Sequence, residues 1–292
     1  MNWLEEYKAS LKMPEVEEVI DLILYRPLAF LLVILVYHTK IKPDHLTLAA
    51  MTMGIAGGCF YAFGTYSTCI TGAVFYILFN ILDCSDGQLA RIKKNGSSIG
   101  RLLDGMADYI AAIAVYVGIA IGYSGKPEQP TSFILLTLFA GLSIISQESL
   151  VDYFRTRFLD IVLKRKNTFN EGLTEFKMEY ETIKNENGKW FKKTIVLIYL
   201  TYSQLQKILT SKKKIVKLFN ATPEEYFNKN RLIIRFWVLM GPSAKITVLV
   251  LCSFFGRFDI FFWTVIAGMN ILAVILWIIQ YQIDKSFETQ NR

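Results

Sequence analysis

Histidine is nearly absent from this chain and cysteine is sparse, with two and four residues among 292. Cys59, Cys69, Cys84 and Cys252 are scattered through apolar segments, without metal-type spacing or the pattern of a disulfide framework. A zinc site built on histidine and cysteine is therefore excluded, and oxygen ligands would favour Mg²⁺, Mn²⁺ or Ca²⁺. A cleavable signal is not expected either, since Trp3-Leu4-Glu5-Glu6 opens an acidic amphipathic stretch rather than a basic region followed by an apolar one. There is no internal repeat and no low-complexity tract. Lysine and arginine are few near 64–69, 123–132 and 255–258.

Apolar residues, by contrast, are plentiful. Hydrophobic side chains make up 53% of the chain and aromatics 14%. Runs near the roughly 20 residues that cross a bilayer occur at 45–66, 69–92, 99–123, 132–158, 236–255 and 258–282. The run from Pro27 to Lys40 is too short to span, so residues 15–40 read as a helix or helix pair lying at the interface. Basic residues gather at 40–42, at Arg91, Lys93, Lys94 and Arg101, throughout 155–235, and after 284. Six spans place all of these groups, and both termini, on one side, which the positive-inside rule makes cytoplasmic.

The expected fold is all-α: a polytopic bundle of six transmembrane helices behind an interfacial N-terminal helix. Residues 1–40 form the amphipathic segment, 41–159 and 232–284 the membrane core, and 160–231 a basic cytoplasmic helical insertion. That insertion holds 15 Lys or Arg against 8 Asp or Glu, an excess equal to the whole chain's +7. It reads as a solvated cap facing anionic headgroups. Topology thus explains the basic charge, and no nucleic-acid partner is expected. Within it, 194–209 reads as an interfacial helix or as a seventh membrane element.

Four carboxylates stand out. Asp83, Asp86, Asp104 and Asp108 are spaced three, eighteen and four residues apart, where two apolar segments reach a shared polar loop. Ionised groups at membrane depth are costly and are usually kept for function. Clustered aspartates repel one another unless a cation holds them. On a helix, Asp83, Asp86, Gly87 and Ala90 share one stripe, and Gly100, Asp104 and Asp108 share another. Two antiparallel helices can face these stripes together. Gly87, Ala90 and Gly100 then leave a groove, and Arg91 offers a fork of donors suited to phosphate. A pair of metal ions in such a pocket would clamp a pyrophosphate, while a carboxylate less committed to metal acts as general base toward an alcohol.

The arrangement Asp-x₂-Asp-Gly-x₂-Ala-Arg-x₈-Gly-x₃-Asp-x₃-Asp, from Asp83 to Asp108, resembles the signature of the CDP-alcohol phosphatidyltransferase family at every defined position. Tyr25-Arg26-Pro27 and Pro43-Asp44-His45-Leu46-Thr47 also resemble the family's approach to its membrane core, whereas 160–231 has no recognised counterpart. The resemblance implies attack by an alcohol on the phosphorus of a CDP-alcohol, releasing CMP. It makes Asp83, Asp86 and Asp104 metal ligands, and Asp108 both ligand and proton acceptor, with Mg²⁺ or Mn²⁺, two ions, as cofactor. It assigns Gly87, Ala90, Arg91 and Ser97 to the cytidine diphosphate, with Asp44 and Thr47 as weaker matches. It also brings a homodimer as an expectation.

Plainer roles compete. Arg91 serves equally as a topology anchor, Ser97 and Asp44 as helix N-caps, and Arg155 and Arg157 as anchors at the end of the fourth span. Lys245, inside a span, either snorkels or faces a cavity. Should Arg155, Arg157 and Lys245 form an anion pocket, the acceptor alcohol would be a phosphorylated one, such as inositol phosphate or glycerol 3-phosphate. The preferred donor is CDP-diacylglycerol or a similar CDP-lipid, embedded in the bilayer. The alternatives are headgroup transfer from a soluble CDP-alcohol to a lipid or polyol hydroxyl, an ion transporter using the aspartates as a relay, and a non-catalytic scaffold.

Overall fold

A computed structural model describes residues 3–96, 98–124, 132–164, 181 and 222–289. Among them every regular element is helical: α1 (Trp3–Ser10), α2 (Arg26–Tyr37), α3 (Pro43–Ala62), α4 (Tyr66–Lys93), α5 (Ser98–Ser124), α6 (Ser132–Val162), α7 (Pro223–Val238), α8 (Pro242–Phe255), α9 (Phe258–Trp263) and α10 (Asn270–Thr289). A 3₁₀ turn (Pro14–Val16) and a π-helical turn (Asp21–Tyr25) lead into α2, and a second π turn (Thr264–Met269) joins α9 to α10.

The chain is a polytopic helical membrane bundle. Among the described residues five stretches are long and apolar enough to cross a bilayer: Tyr66–Lys93, Leu103–Ser124, Phe133–Val162, Pro223–Phe255 and Phe258–Phe287. α3 has twenty residues, but Thr47, Thr52 and three glycines dilute its apolar character. α2, with twelve, is too short to span, as its sequence run predicts. The outer faces of α6 and α10 leave Leu135, Leu138, Phe139, Leu142, Ile271 and Val274 exposed, as lipid contact requires.

The helices on either side of the basic segment run a short way into it, α6 to Val162 and α7 from Pro223. α6 continues to Val162 because Phe154, Phe158 and Ile161 extend one buried stripe at helical spacing. α7 begins at Pro223 because Tyr226, Ile233 and Trp237 do the same. The expected cytoplasmic helical cap over 165–180 and 182–221, including the membrane or interfacial element at 194–209, and the expected role of Ser97 fall outside the described residues.

The chain divides into two compact units, Met1–Glu148 with Leu239–Leu272, and Ser149–Val238 with Ala273–Arg292. In the first, α3 and α5 meet along glycines. A Cβ on Gly58 would collide with the backbone of Ala114, one on Gly118 with the carbonyl of Gly58, and one on Gly122 with the carbonyl of Tyr61. Small residues four apart let membrane helices approach backbone to backbone. α4 starts on a capping box between Thr65 and Thr68 and ends at Lys94, whose φ of 51° turns the chain back toward α5. Tyr76 stacks on Phe79, and Tyr123 on Phe133, inside this unit.

In the second unit Phe154 stacks on Trp237, with ring centroids 4.4 Å apart. Arg157 donates to both oxygens of Asp284 at 2.8 and 2.9 Å, and Gln280 bridges Asn230 and Asp284.

Candidate active site

α4 and α5 bring the aspartates together as their shared stripes predict. One carboxylate oxygen each from Asp83, Asp86 and Asp104 lies within 4.8 Å of the other two. A cation with metal–oxygen distances of about 2.0–2.6 Å can touch all three. Among the described residues none of the four aspartates is in an ion pair. Asp83 Oδ1 is buried without a hydrogen-bond partner, an orphan acceptor that a metal would satisfy. These residues fit a divalent cation. A pair of structural salt bridges to nearby lysine and arginine does not account for them: Lys93 donates instead to the carbonyls of Thr39 and Ile41, and Arg91 to that of Ser10.

Around the trio, α3 contributes Thr47, buried, whose hydroxyl donates to Asp86 Oδ2 at 2.5 Å. Thr47 therefore orients a carboxylate. Asp44 sits in the first turn of α3, half-buried. Asp108 lies one turn beyond Asp104 and outside the group of three, with Asp104, Glu148 and Asp86 all close enough to repel it. The guanidinium of Arg91 lies alongside Gly87, 3.5 and 3.6 Å from where a Cβ would stand. Its Nη2 is buried and has no hydrogen-bond partner, which leaves a donor for an anion. Ala90, half-buried, extends the same groove.

The three residues considered for an acceptor phosphate each have their own surroundings. Arg155 is half-buried on α6, Arg157 holds Asp284 in the second unit, and Lys245 holds Glu148 in the first.

Sequence reading missed the supports. Arg26 pairs with Glu17 at 3.0 Å and donates to the carbonyl of Cys84, next to Asp83. Gln88 donates to Ser10 Oγ and to the Arg26 carbonyl. Glu18 accepts from the amides of Ser243 and Ala244 at the start of α8. For Glu148 a signal existed, a carboxylate inside an apolar run. Ser10 and Glu18 carried none, because their partners are far away along the chain.

The family model of the CDP-alcohol phosphatidyltransferases matches residues 40–208, more than half of the chain. The chain belongs to this family. The match covers α3 to α6 and the whole aspartate cluster, and it ends inside the basic segment. No curated protein matches the chain. Membership makes it an integral membrane phosphotransferase that moves a phosphatidyl group from a CDP-alcohol to an alcohol acceptor. Divalent metals are general in the family, and Asp83, Asp86 and Asp104 are the residues placed to hold one.

Proposed function

We propose that this CDP-alcohol phosphatidyltransferase takes its phosphatidyl group from CDP-diacylglycerol or a similar CDP-lipid. It delivers the group to the hydroxyl of a small polar alcohol and releases CMP at the cytoplasmic face. The observation that carries the reading is the trio of carboxylate oxygens within 4.8 Å, free of any protein cation among the described residues. Asp83, Asp86 and Asp104 would hold Mg²⁺ or Mn²⁺, with Asp108 completing the set for a second ion. When bound, the metal neutralises the diphosphate and polarises the attacked phosphorus.

The chain's own residues do the rest. Arg91 Nη2, aimed along Gly87, holds the diphosphate through a charge-assisted hydrogen bond. Thr47 keeps Asp86 in its ligating orientation. Asp108, which lies outside the trio, accepts the proton of the attacking hydroxyl. The new bond joins the acceptor oxygen to phosphorus, the bond from phosphorus to the CMP oxygen breaks, and CMP leaves with that electron pair.

The test is CMP release from the purified chain across donor and acceptor pairs. Turnover is expected with a CDP-lipid donor, lost on chelation by EDTA and restored by Mn²⁺ or Mg²⁺. Asp108→Asn should lower turnover by about 100-fold or more and still bind CDP in calorimetry. Turnover only with soluble CDP-alcohols would replace this donor assignment, and full activity of Asp108→Asn would refute its role as base.

A further inference from the structure

The four aspartates are not the only charges inside the first unit. Lys245 on α8 reaches Glu148 on α6, Nζ to Oε1 3.2 Å. The lysine side chain is 2% exposed and the glutamate 28%. The lysine is thus enclosed, while the carboxylate keeps part of its surface exposed. Among the described residues Glu148 takes no other partner, so Oε2 is unclaimed.

Its neighbours locate it. Glu148 is close enough to act electrostatically on Asp108, Tyr76 and Tyr116. Next to Lys245, Ser243 hydrogen-bonds Asn80 on α4. Along α4 the order is Arg91 and Gly87 at one end, Asp86 and Asp83 in the middle, and Asn80 and Tyr76 at the other. The Glu148–Lys245 pair stands by the last of these. Counted along α4, it lies beyond Asp83 and Asp86 from Arg91, and in the transferase reading above that side is the one left for the acceptor hydroxyl.

We propose that Glu148 and Lys245 form the selective wall of the acceptor pocket, admitting an alcohol with no net negative charge and disfavouring a phosphorylated one. The inference rests on the transferase reading above and deepens it. A phosphate ester needs cationic donors that are not already neutralised. Lys245 has its counter-charge in Glu148, and Arg157 has its own in Asp284. Glu148 and Asp108 would together repel a dianion. A neutral polyol or an amino alcohol meets a better match: its hydroxyl or ammonium donors reach Glu148 Oε2, and its oxygens reach Lys245. Both acceptor types share this donor chemistry, and an assay separates them.

The experiment uses the full chain with CDP-diacylglycerol and Mn²⁺, measuring CMP release with glycerol, inositol, serine and ethanolamine beside glycerol 3-phosphate and inositol phosphate. At least a tenfold higher kcat/KM is expected for an unphosphorylated acceptor, and its identity distinguishes polyol from amino alcohol. Glu148→Gln, which frees Lys245, should raise that acceptor's KM about tenfold, leave the donor KM within about twofold, and narrow the preference against phosphorylated acceptors. Lys245→Arg, which keeps the pair, should preserve the preference and guards against loss of folding in the first variant. Preference of the wild-type chain for a phosphorylated acceptor would overturn this inference alone. So would a Glu148→Gln variant that folds and leaves the acceptor KM unchanged. CMP release from no donor and acceptor pair would overturn the transferase reading itself.

Discussion

Glu18 is a buried carboxylate seated on two backbone amides, those of Ser243 at 3.2 Å and Ala244 at 2.8 Å. This ties residues near the start of the chain to the N-terminus of α8, where the exposed amides and the helix dipole welcome an acid. Burial nonetheless pushes Glu18 up from its ordinary 4.5 to about 8, with Asp21 adding to the rise and the two amides and Lys245 opposing it. A raised carboxyl binds its proton more tightly in the folded chain than in the unfolded one. Its contribution to stability is complete below the unfolded value and is lost as pH climbs through about 8. The thermal midpoint of the detergent-solubilised protein should therefore fall between about pH 5 and about pH 9. Glu18→Gln should flatten that slope, and a wild-type midpoint that stays level or rises would contradict the account. Asp83, Asp86 and Asp104 were legible as a cluster because helical spacing alone aligns them. Glu18 was not, since its partner lies more than two hundred residues away in the sequence and nothing local marks it.

Between elements, α3 and α5 approach backbone to backbone, and α5 carries Asp104 and Asp108 toward α4. The contact depends on hydrogen atoms in place of side chains at Gly58, Gly118 and Gly122. Gly118→Leu must push the helices apart, which is expected to cost about 1–3 kcal/mol and to carry Asp108 away from Asp83. Gly141→Leu on α6 is the matched control, because a Cβ there meets nothing within 4 Å. A lower midpoint in denaturant and reduced CMP release are expected for the first variant only; equal effects from both would dissociate the contact from the site. Periodicity placed the helices themselves, while helix ends are less legible where a buried stripe runs past charged residues, as at Arg157. Which glycines face which helix could not be read from one strand of sequence, since glycine supplies no side chain whose pattern betrays a partner.

At the level of the whole molecule, the proposed topology makes one further demand. The α4–α5 loop and the N-terminal segment should be reached from the same, cytoplasmic side, while the α3–α4 and α8–α9 turns should be reached from the other. Single cysteines at Asn95 and Glu5, in a chain cleared of its four native ones, should react with a membrane-impermeant maleimide in inverted vesicles. Cysteines at Tyr66 and Arg257 should react in right-side-out vesicles. Labelling of Asn95 from the outer face would refute the sidedness drawn from the basic loops.

Composition and spacing by themselves determined that this chain is a helical membrane protein with a cluster of aspartates, and the Asp83-to-Asp108 signature was enough to suggest its family. Both are local properties: hydropathy acts over one span, and helical geometry over one or two turns. Only the tertiary structure decided which charges answer one another. It set Lys245 on Glu148 and Arg157 on Asp284, giving counter-charges to cations that the linear sequence left unassigned. Ion pairing inside a bundle depends on which helix faces become neighbours, and that is settled by packing across the whole fold.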